Sequence, residues 1–453
     1  MVVRPLGRRL GLGLALTAVL VTAGAASAAG VGAPPPPSAP PTDFTNTSLA
    51  NPQYKGADGE PSLKVAPDGT VYVGAIRGLP SGIDLWRIDR GTGPVTHLSS
   101  PDSLLPPGNA CCVALGGGDM DLAITANGTV AFSSLYLGSI HVGRSTDRGQ
   151  TMTRQPLGGV IPVDDREWQT TDGSTVYMSF HDVLTGNIQV ERSSDGLVYL
   201  PAGMVLSPTD PATQDNQLGN LIADRHHPGL LYQVYVTAAA PNASDGTPIG
   251  GQGRLNVVKM AVSTNGGSTW TQRTIFTGGP KANYASIFPS AAIDRAGNLY
   301  AAVSDNANLL VFSSTDQGAH WSAPTRVNSP AGAAAFPWIS AGGPGGVVVS
   351  WFGATTTDPA SKANLWKVYA AESRNATAAT PTYTLFQVSN HVIHKGVLCE
   401  SGLNCSEGRE LGDFFQVAVG PDGIANLAWA DDGAGGPATV SYGRGGFNLG
   451  PPD

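Results

Sequence analysis

A hairpin recurs seven times along this chain. The copies read "PSLKVAPDGTVYVGAI" (61–76), "DMDLAITANGTVAFSSL" (119–135), "DREWQTTDGSTVYMSFHD" (165–182) and "GNLIADRHHPGLLYQVYV" (219–236), then "ASIFPSAAIDRAGNLYAAVSD" (285–305), "FPWISAGGPGGVVVSWFG" (336–353) and "DFFQVAVGPDGIANLAWADD" (413–432). Each is an apolar stretch, a turn rich in Asp, Asn or Gly, and a second apolar stretch. Asp-Gly or Asn-Gly between apolar runs is a hairpin signal. Units of this kind stack on their neighbours to bury a shared core. The 59 glycines and 35 prolines suit a chain of many turns, and no long stretch carries a helical period.

A second pattern follows several hairpins: "IHVGRSTDRGQTM" (140–152), "VVKMAVSTNGGSTW" (257–270), "LLVFSSTDQGAHW" (309–321) and a worn copy, "SSDGLVYL" (193–200). The shared form is Ser-x-Asp-x-Gly-x-x-Trp. A third strand runs into a tight turn and an aromatic opens a fourth. The Asp accepts from turn amides, the Gly takes a positive φ, and the aromatic packs between sheets. Seven units of four strands predict an all-β, seven-bladed β-propeller. The last unit has a third strand, "ATVSYGR" (438–444), but little chain after it. "DFTNTSLA" (43–50) supplies its fourth strand, which closes the ring and covers an edge. A six-bladed ring with an accessory hairpin is the alternative. Residues 43–453 then form one domain.

The Ser-x-Asp-x-Gly-x-x-Trp turns resemble the Asp-box (BNR) repeats of the sialidase-like propellers, over nearly all of 43–453. That resemblance implies a glycoside hydrolase of exo-α-sialidase type, with an arginine triad for a substrate carboxylate, a Tyr nucleophile assisted by Glu, and an Asp acid/base. Carried onto this chain, the triad is Arg166, Arg409 and either Arg77 or Arg254. The nucleophile is Tyr284, the Glu is Glu167 or Glu410, and the acid/base is Asp165 or Asp121. Two departures stand out. Sialidases have six blades, and their aromatic-Arg-Ile-Pro motif is approached only by "AIRGLP" (75–80), which ends a second strand.

The residues point to the same place independently. In a propeller, the loops leading into each first strand share a face with the loops joining second and third strands, so a ligand sits near the axis there. This charge-poor chain, 13% Asp, Glu, Lys and Arg, concentrates charge at those loops. They hold Asp119 and Asp121; Asp165, Arg166 and Glu167; His181; and Arg409, Glu410 and Asp413, with Trp338 as a surface for a sugar ring. "DREW" and "GRELGDFF" place Arg, Glu and Asp at matching points of two blades. Glycoside hydrolysis needs two carboxyl groups across one bond, one kept protonated by burial or crowding. Arginines bind carboxylates bidentately. The same run also suits salt bridges between blades. Asp119 and Asp121 allow a structural calcium ion; no other cofactor is required. A non-catalytic carbohydrate-binding propeller and a polysaccharide lyase are the alternative functions.

Residues 1–28 read as a signal peptide: Arg4, Arg8 and Arg9, an apolar run, then Ala26-Ser27-Ala28. A Pro-rich linker, 29–42, follows. The chain is expected to be secreted, extracellular and monomeric, acting on saccharides or glycoconjugates. Formal charge is −8, and losing the leader's three arginines with no acid takes it to about −11. Nucleic acid and anionic membrane are poor partners for such a chain. Export permits disulfides among Cys111, Cys112, Cys399 and Cys405. Either each neighbouring pair is bridged, or the two loops are tied together.

Overall fold

The computed structural model describes residues 42–51, 58–98, 100–105, 113–114, 116–136, 139–155, 164–239, 254–328, 332–433 and 435–452. The proposed leader, most of the linker, and Cys111 and Cys112 lie outside them.

The chain is a seven-bladed propeller, and the six-bladed alternative is set aside. Its antiparallel sheets each contain four strands; six of them run in sequence order, blade six carries a short extra strand, His394–Lys395, and blade seven takes its outermost strand from the start of the domain. The innermost strands are Gly59–Val65, Met120–Ile124, Asp164–Asp172, Asn216–Ala223, Ser290–Ile293, Ala334–Ala341 and Gln416–Val419. Each touches the next around the ring, and the last touches the first.

Closure comes from the chain's beginning. Thr42–Leu49 lies against Thr439–Gly446 as the outermost strand of blade seven, with Asn46 opposite Gly443 and Leu49 opposite Val440. First and last parts of the domain therefore share one sheet, so neither end leaves blade seven short of a strand.

The core is divided among the gaps between blades, because each sheet is apolar on both faces. Leu63, Val71 and Trp86 of blade one pack on Ala428, Val440 and Tyr442 of blade seven. Ala131 and Val142 of blade two meet Val176, Met178 and Phe180 of blade three. Trp86, Trp168, Trp366 and Trp429 are fully buried. Each such side chain contributes about 1.5–3 kcal/mol of transfer free energy.

The turns follow the expected chemistry. In the first hairpin Gly69 has φ 83°, while Asp68 Oδ1 accepts the Thr70 amide at 2.9 Å. In the third-to-fourth turns, the Ser hydroxyl accepts the Gly amide: Ser145 from Gly149 at 2.8 Å, Ser263 from Gly267 at 2.9 Å and Ser314 from Gly318 at 2.9 Å. The Trp270 and Trp321 indoles donate back to the carbonyls of Gly267 and Gly318. Ser373 and Asn375 repeat the Ser–Asx contact in blade six, where the sequence shows no obvious copy.

Candidate active site

The innermost strands do not start straight. In blade three, Asp165 pairs with His181 and Trp168 with Ser179, so Arg166 and Glu167 together oppose one residue. Blades one and six repeat this bulge at Glu60–Pro61 and Phe336–Pro337. The first bulge residue is left-handed each time: φ is 49° at Glu60, 42° at Arg166 and 56° at Phe336. Non-glycine residues are held there at a cost of order 1 kcal/mol or more, and bulges re-aim side chains. Here they bring Glu60 and Arg166 together beside the axis.

Arg166 is the hub. Its guanidinium lies 4.0 Å from the Trp168 ring centroid and 4.3 Å from that of Phe414. Nη1 is 3.3 Å from Asp119 Oδ1 and 3.8 Å from Glu60 Oε2. Nη2 donates to the carbonyls of Met120 at 2.8 Å and Glu167 at 2.9 Å. The other Glu60 oxygen is 3.6 Å from Arg409 Nη2, and Arg409 also pairs with Asp413. An alternating chain results: Asp119, Arg166, Glu60, Arg409, Asp413. Asp165 stands beside it, within electrostatic reach of Asp119 and of Asp413.

Carboxyls outnumber guanidiniums here, and the pKa values follow. Burial, then Asp413 and Asp119, push Glu60 well above the usual carboxylate range, while Arg166 pulls the other way. Asp165 is exposed to solvent yet crowded by Asp119, His181 and Arg166. Desolvation and then the Asp119 charge lift it to about 6. Burial raises Asp413 against the opposing pull of Arg409 and Arg166. Burial lowers His181, which faces Asp165, and so keeps its imidazole neutral near pH 7. The cluster thus presents both proton-holding and arginine-paired carboxyls, the combination acid–base catalysis uses.

The floor of this mouth is aromatic. Trp168 packs against Trp338, Phe414 and Phe288 at centroid distances of 4.9, 5.0 and 5.4 Å. Trp338 is only 6% exposed and is committed to this floor, instead of lying open to a sugar ring. Deeper in the channel, Asp121 is held by Lys64 at 3.0 Å, by Ser62 at 2.5 Å and by the Gln169 amide at 2.7 Å. A cavity of about 240 Å³ opens at the far end, lined by Asn220, Arg225, Ser340 and Pro452 among others. This hollow is therefore not where Glu60, Asp119, Asp165 and Asp413 gather. Its polar side chains mostly satisfy neighbouring strands, as Asn220 does for Ala291 and Ser340 for Val419, so the mouth is the better candidate for chemistry.

The other sequence-derived candidates lie elsewhere. Glu167 is fully buried with neither carboxylate oxygen hydrogen-bonded, and burial lifts it to about 8. Glu410 is exposed in its turn. Tyr284 is buried between blades four and five against Phe276, at 6.1 Å. Arg77 is sealed in blade one, 3.6 Å from Asp84 and bonded to the Ser81 carbonyl and Ser100. Arg254 is exposed beside 240–253, which lie outside the described residues. Asp119 and Asp121 face different cations, Arg166 and Lys64, so they do not assemble a calcium donor set. Among the described residues no group of three His, Cys, Asp or Glu side chains is placed to hold a metal. Cys399 and Cys405 are bridged to each other, which excludes tying them to the other pair. Sequence reasoning misses Glu60 and Glu400. Glu60 occupies the repeat position of Arg166, and aligning the bulges reveals it. Glu400 sits inside the disulfide loop.

No protein-family profile matches the sequence, and no curated protein does. Solved structures do resemble it. A xyloglucanase from Xanthomonas campestris aligns with a TM-score of 0.51 at 12% identity, covering 88% of this chain and 55% of that one. A protein of unknown function from Dyadobacter fermentans aligns at 0.49 and 12%, covering 89% and 98%. An intramolecular trans-sialidase from Ruminococcus gnavus aligns at 0.45 and 12%, covering 89% and 96%. The likeness is one of fold. This chain spans little over half of the xyloglucanase.

Proposed function

We propose that the protein is a secreted glycoside hydrolase whose catalytic centre is the carboxyl-rich mouth around Asp165. The observation that carries this reading is the convergence of Glu60, Asp119, Asp165 and Asp413 on two arginines at the axial end of the ring. Glycosidic cleavage asks for one carboxyl that gives a proton and one that activates water or attacks. Asp165 is solvent-accessible, so substrate can reach it, and Asp413 is its arginine-held partner.

The charge balance favours a neutral sugar over a sialic acid. Arg166 and Arg409 are already matched by Glu60, Asp119 and Asp413, and the remaining arginines of the expected triad lie elsewhere. A substrate carboxylate would enter a mouth with no unspent positive charge. Xyloglucan, the substrate named for the structurally similar Xanthomonas enzyme, is a sensible first member of a test panel that also includes arabinan and sialyl-lactose.

The test is product analysis on that panel with the mature chain and with Asp165→Asn. The expected outcome is cleavage of a neutral polysaccharide by the native chain, a loss of ~10²–10⁴-fold in kcat for the variant, and binding retained. Wild-type binding with no cleavage of any glycan would establish the non-catalytic alternative instead.

A further inference from the structure

Residues 388–415 connect blade six to blade seven, and their path is tied down at several points. His394 spans Asp432 Oδ2 at 2.6 Å and the Val397 carbonyl at 2.9 Å. The Trp366 indole donates to the Gly396 carbonyl at 2.9 Å, and the Cys399 amide to the Gly408 carbonyl at 3.0 Å. The Cys399–Cys405 bridge closes the tip across six positions. Glu400, the first residue inside that bridge, reaches over to the blade-five side. Its Oε1 is 2.6 Å from Ser286 Oγ, and its Oε2 accepts from Asn306 Nδ2 at 2.5 Å.

Counting protons in this triad is informative. Ser286 Oγ is also 2.7 Å from Asn306 Oδ1, an oxygen with no proton to give. A serine hydroxyl has one proton. If Ser286 gives it to Glu400, two oxygen lone pairs are left facing each other at 2.7 Å. If Ser286 gives it to Asn306, Glu400 must itself donate to Ser286. Only a protonated Glu400 satisfies every contact. Asn306, whose amide makes two of these contacts, is fixed in the left-handed region at φ 70°. Burial raises the pKa of Glu400, the Ser286 and Asn306 contacts pull it the other way, and the negative charge of Asp413 in the mouth adds to the rise.

We propose that Glu400, delivered to the mouth by the Cys399–Cys405 loop, is its proton-carrying acid, and that the disulfide is what holds it in place. In the step this implies, the bond between the anomeric carbon and the leaving oxygen breaks. Glu400 gives up its hydrogen bond to Ser286 and its proton passes to that oxygen, water adds to the anomeric carbon, and a mouth carboxylate takes the proton water releases. The catalytic part rests on the hydrolytic reading of the mouth; the protonation does not.

Two measurements separate these. The infrared difference between the native chain and Glu400→Gln at pH 7 should show a protonated-carboxyl stretch; a carboxylate pair of bands instead overturns the proposal whatever the activity. A stretch present in a protein that cleaves no glycan leaves Glu400 protonated, and it refutes the hydrolytic reading and with it the catalytic role. In an active protein, Glu400→Gln should lose ~10²–10⁴-fold on substrates with a sugar leaving group. It should keep most of its rate on 2,4-dinitrophenyl glycosides, which need no acid. Equal losses on both make Glu400 structural and overturn the catalytic role. Cys399→Ser with Cys405→Ser should reproduce the Glu400→Gln pattern while the circular dichroism of the ring is unchanged. Full activity in that variant overturns the tether.

Discussion

Glu167 shows how little a residue's type says about its task. It adjoins Arg166, which organises the mouth, yet it is fully buried with both carboxylate oxygens unpartnered. Its pKa rises from the usual carboxylate value to about 8, chiefly through burial. Between about pH 4.5 and 8 the folded chain therefore binds a proton at this site that the unfolded chain has released, so its contribution to stability falls as pH rises. Glu167→Gln does not titrate. The melting temperature of the variant minus that of the native chain should grow more positive from about pH 5 to about pH 9; parallel curves would show that Glu167 carries no such proton. Beside it, Asp165 is the residue whose loss should silence the mouth. The run "DDREW" (164–168) thus holds a titrating carboxyl open to solvent, a buried arginine, a sealed acid and a floor aromatic within five positions. That division is invisible in sequence, because a bulge breaks the alternation from which sidedness is inferred. No glycine marks the bulge: the left-handed residues are Glu60, Arg166 and Phe336.

At the scale of the element, the third-to-fourth turns test whether the two faces of the ring are independent. Ser314 accepts the Gly318 amide at 2.9 Å on the face opposite the mouth. Ser314→Ala should cost about 1 kcal/mol in denaturant unfolding, the ordinary worth of one such bond. It should leave kcat/KM unchanged on any substrate the native chain cleaves; a matching loss of activity would mean that the staples reach the site. These turns, the Asp-Gly hairpins and the closing strand are the most legible parts of the sequence. Each rests on short-range chemistry that repeats: a side chain that accepts turn amides, a glycine at positive φ, an apolar run of strand length. The loop carrying Glu400 is legible only as a cysteine pair. Nothing local in "LCESGLNCSEG" (398–408) says that it lands against Ser286 and Asn306, which are 114 and 94 residues away in sequence. The candidate arginines are another case. Arg77 follows a second strand and Arg166 sits in the bulge of a first strand. The acids they meet, Asp84 from the adjoining strand for Arg77 and Asp119 and Glu60 from other blades for Arg166, are set by the folded ring and not by local sequence.

For the whole molecule, closure by Thr42–Leu49 makes the ring's stability depend on a strand just beyond the Pro-rich linker. Deleting 42–49 should leave Thr439–Gly446 as a bare edge. The melting temperature should drop by roughly 10 °C, from the loss of several ladder hydrogen bonds, and oligomers should appear by size exclusion. A monomer with unchanged stability would place closure elsewhere. The ring also explains why the site lies where it does. Inner strands from separate blades bring Glu60, Asp119, Arg166 and Asp413 to one point, while the aromatic floor parts that point from the cavity at the other end. The most direct measurement is a crystal structure of Asp165→Asn with a bound oligosaccharide of the polysaccharide cleaved. The sugar should lie in the mouth against the substituted side chain, Arg409 and Asp413, with a glycosidic oxygen facing Glu400. A sugar seated in the far cavity or on the outer edges of the blades, with the mouth empty, would contradict the catalytic assignment.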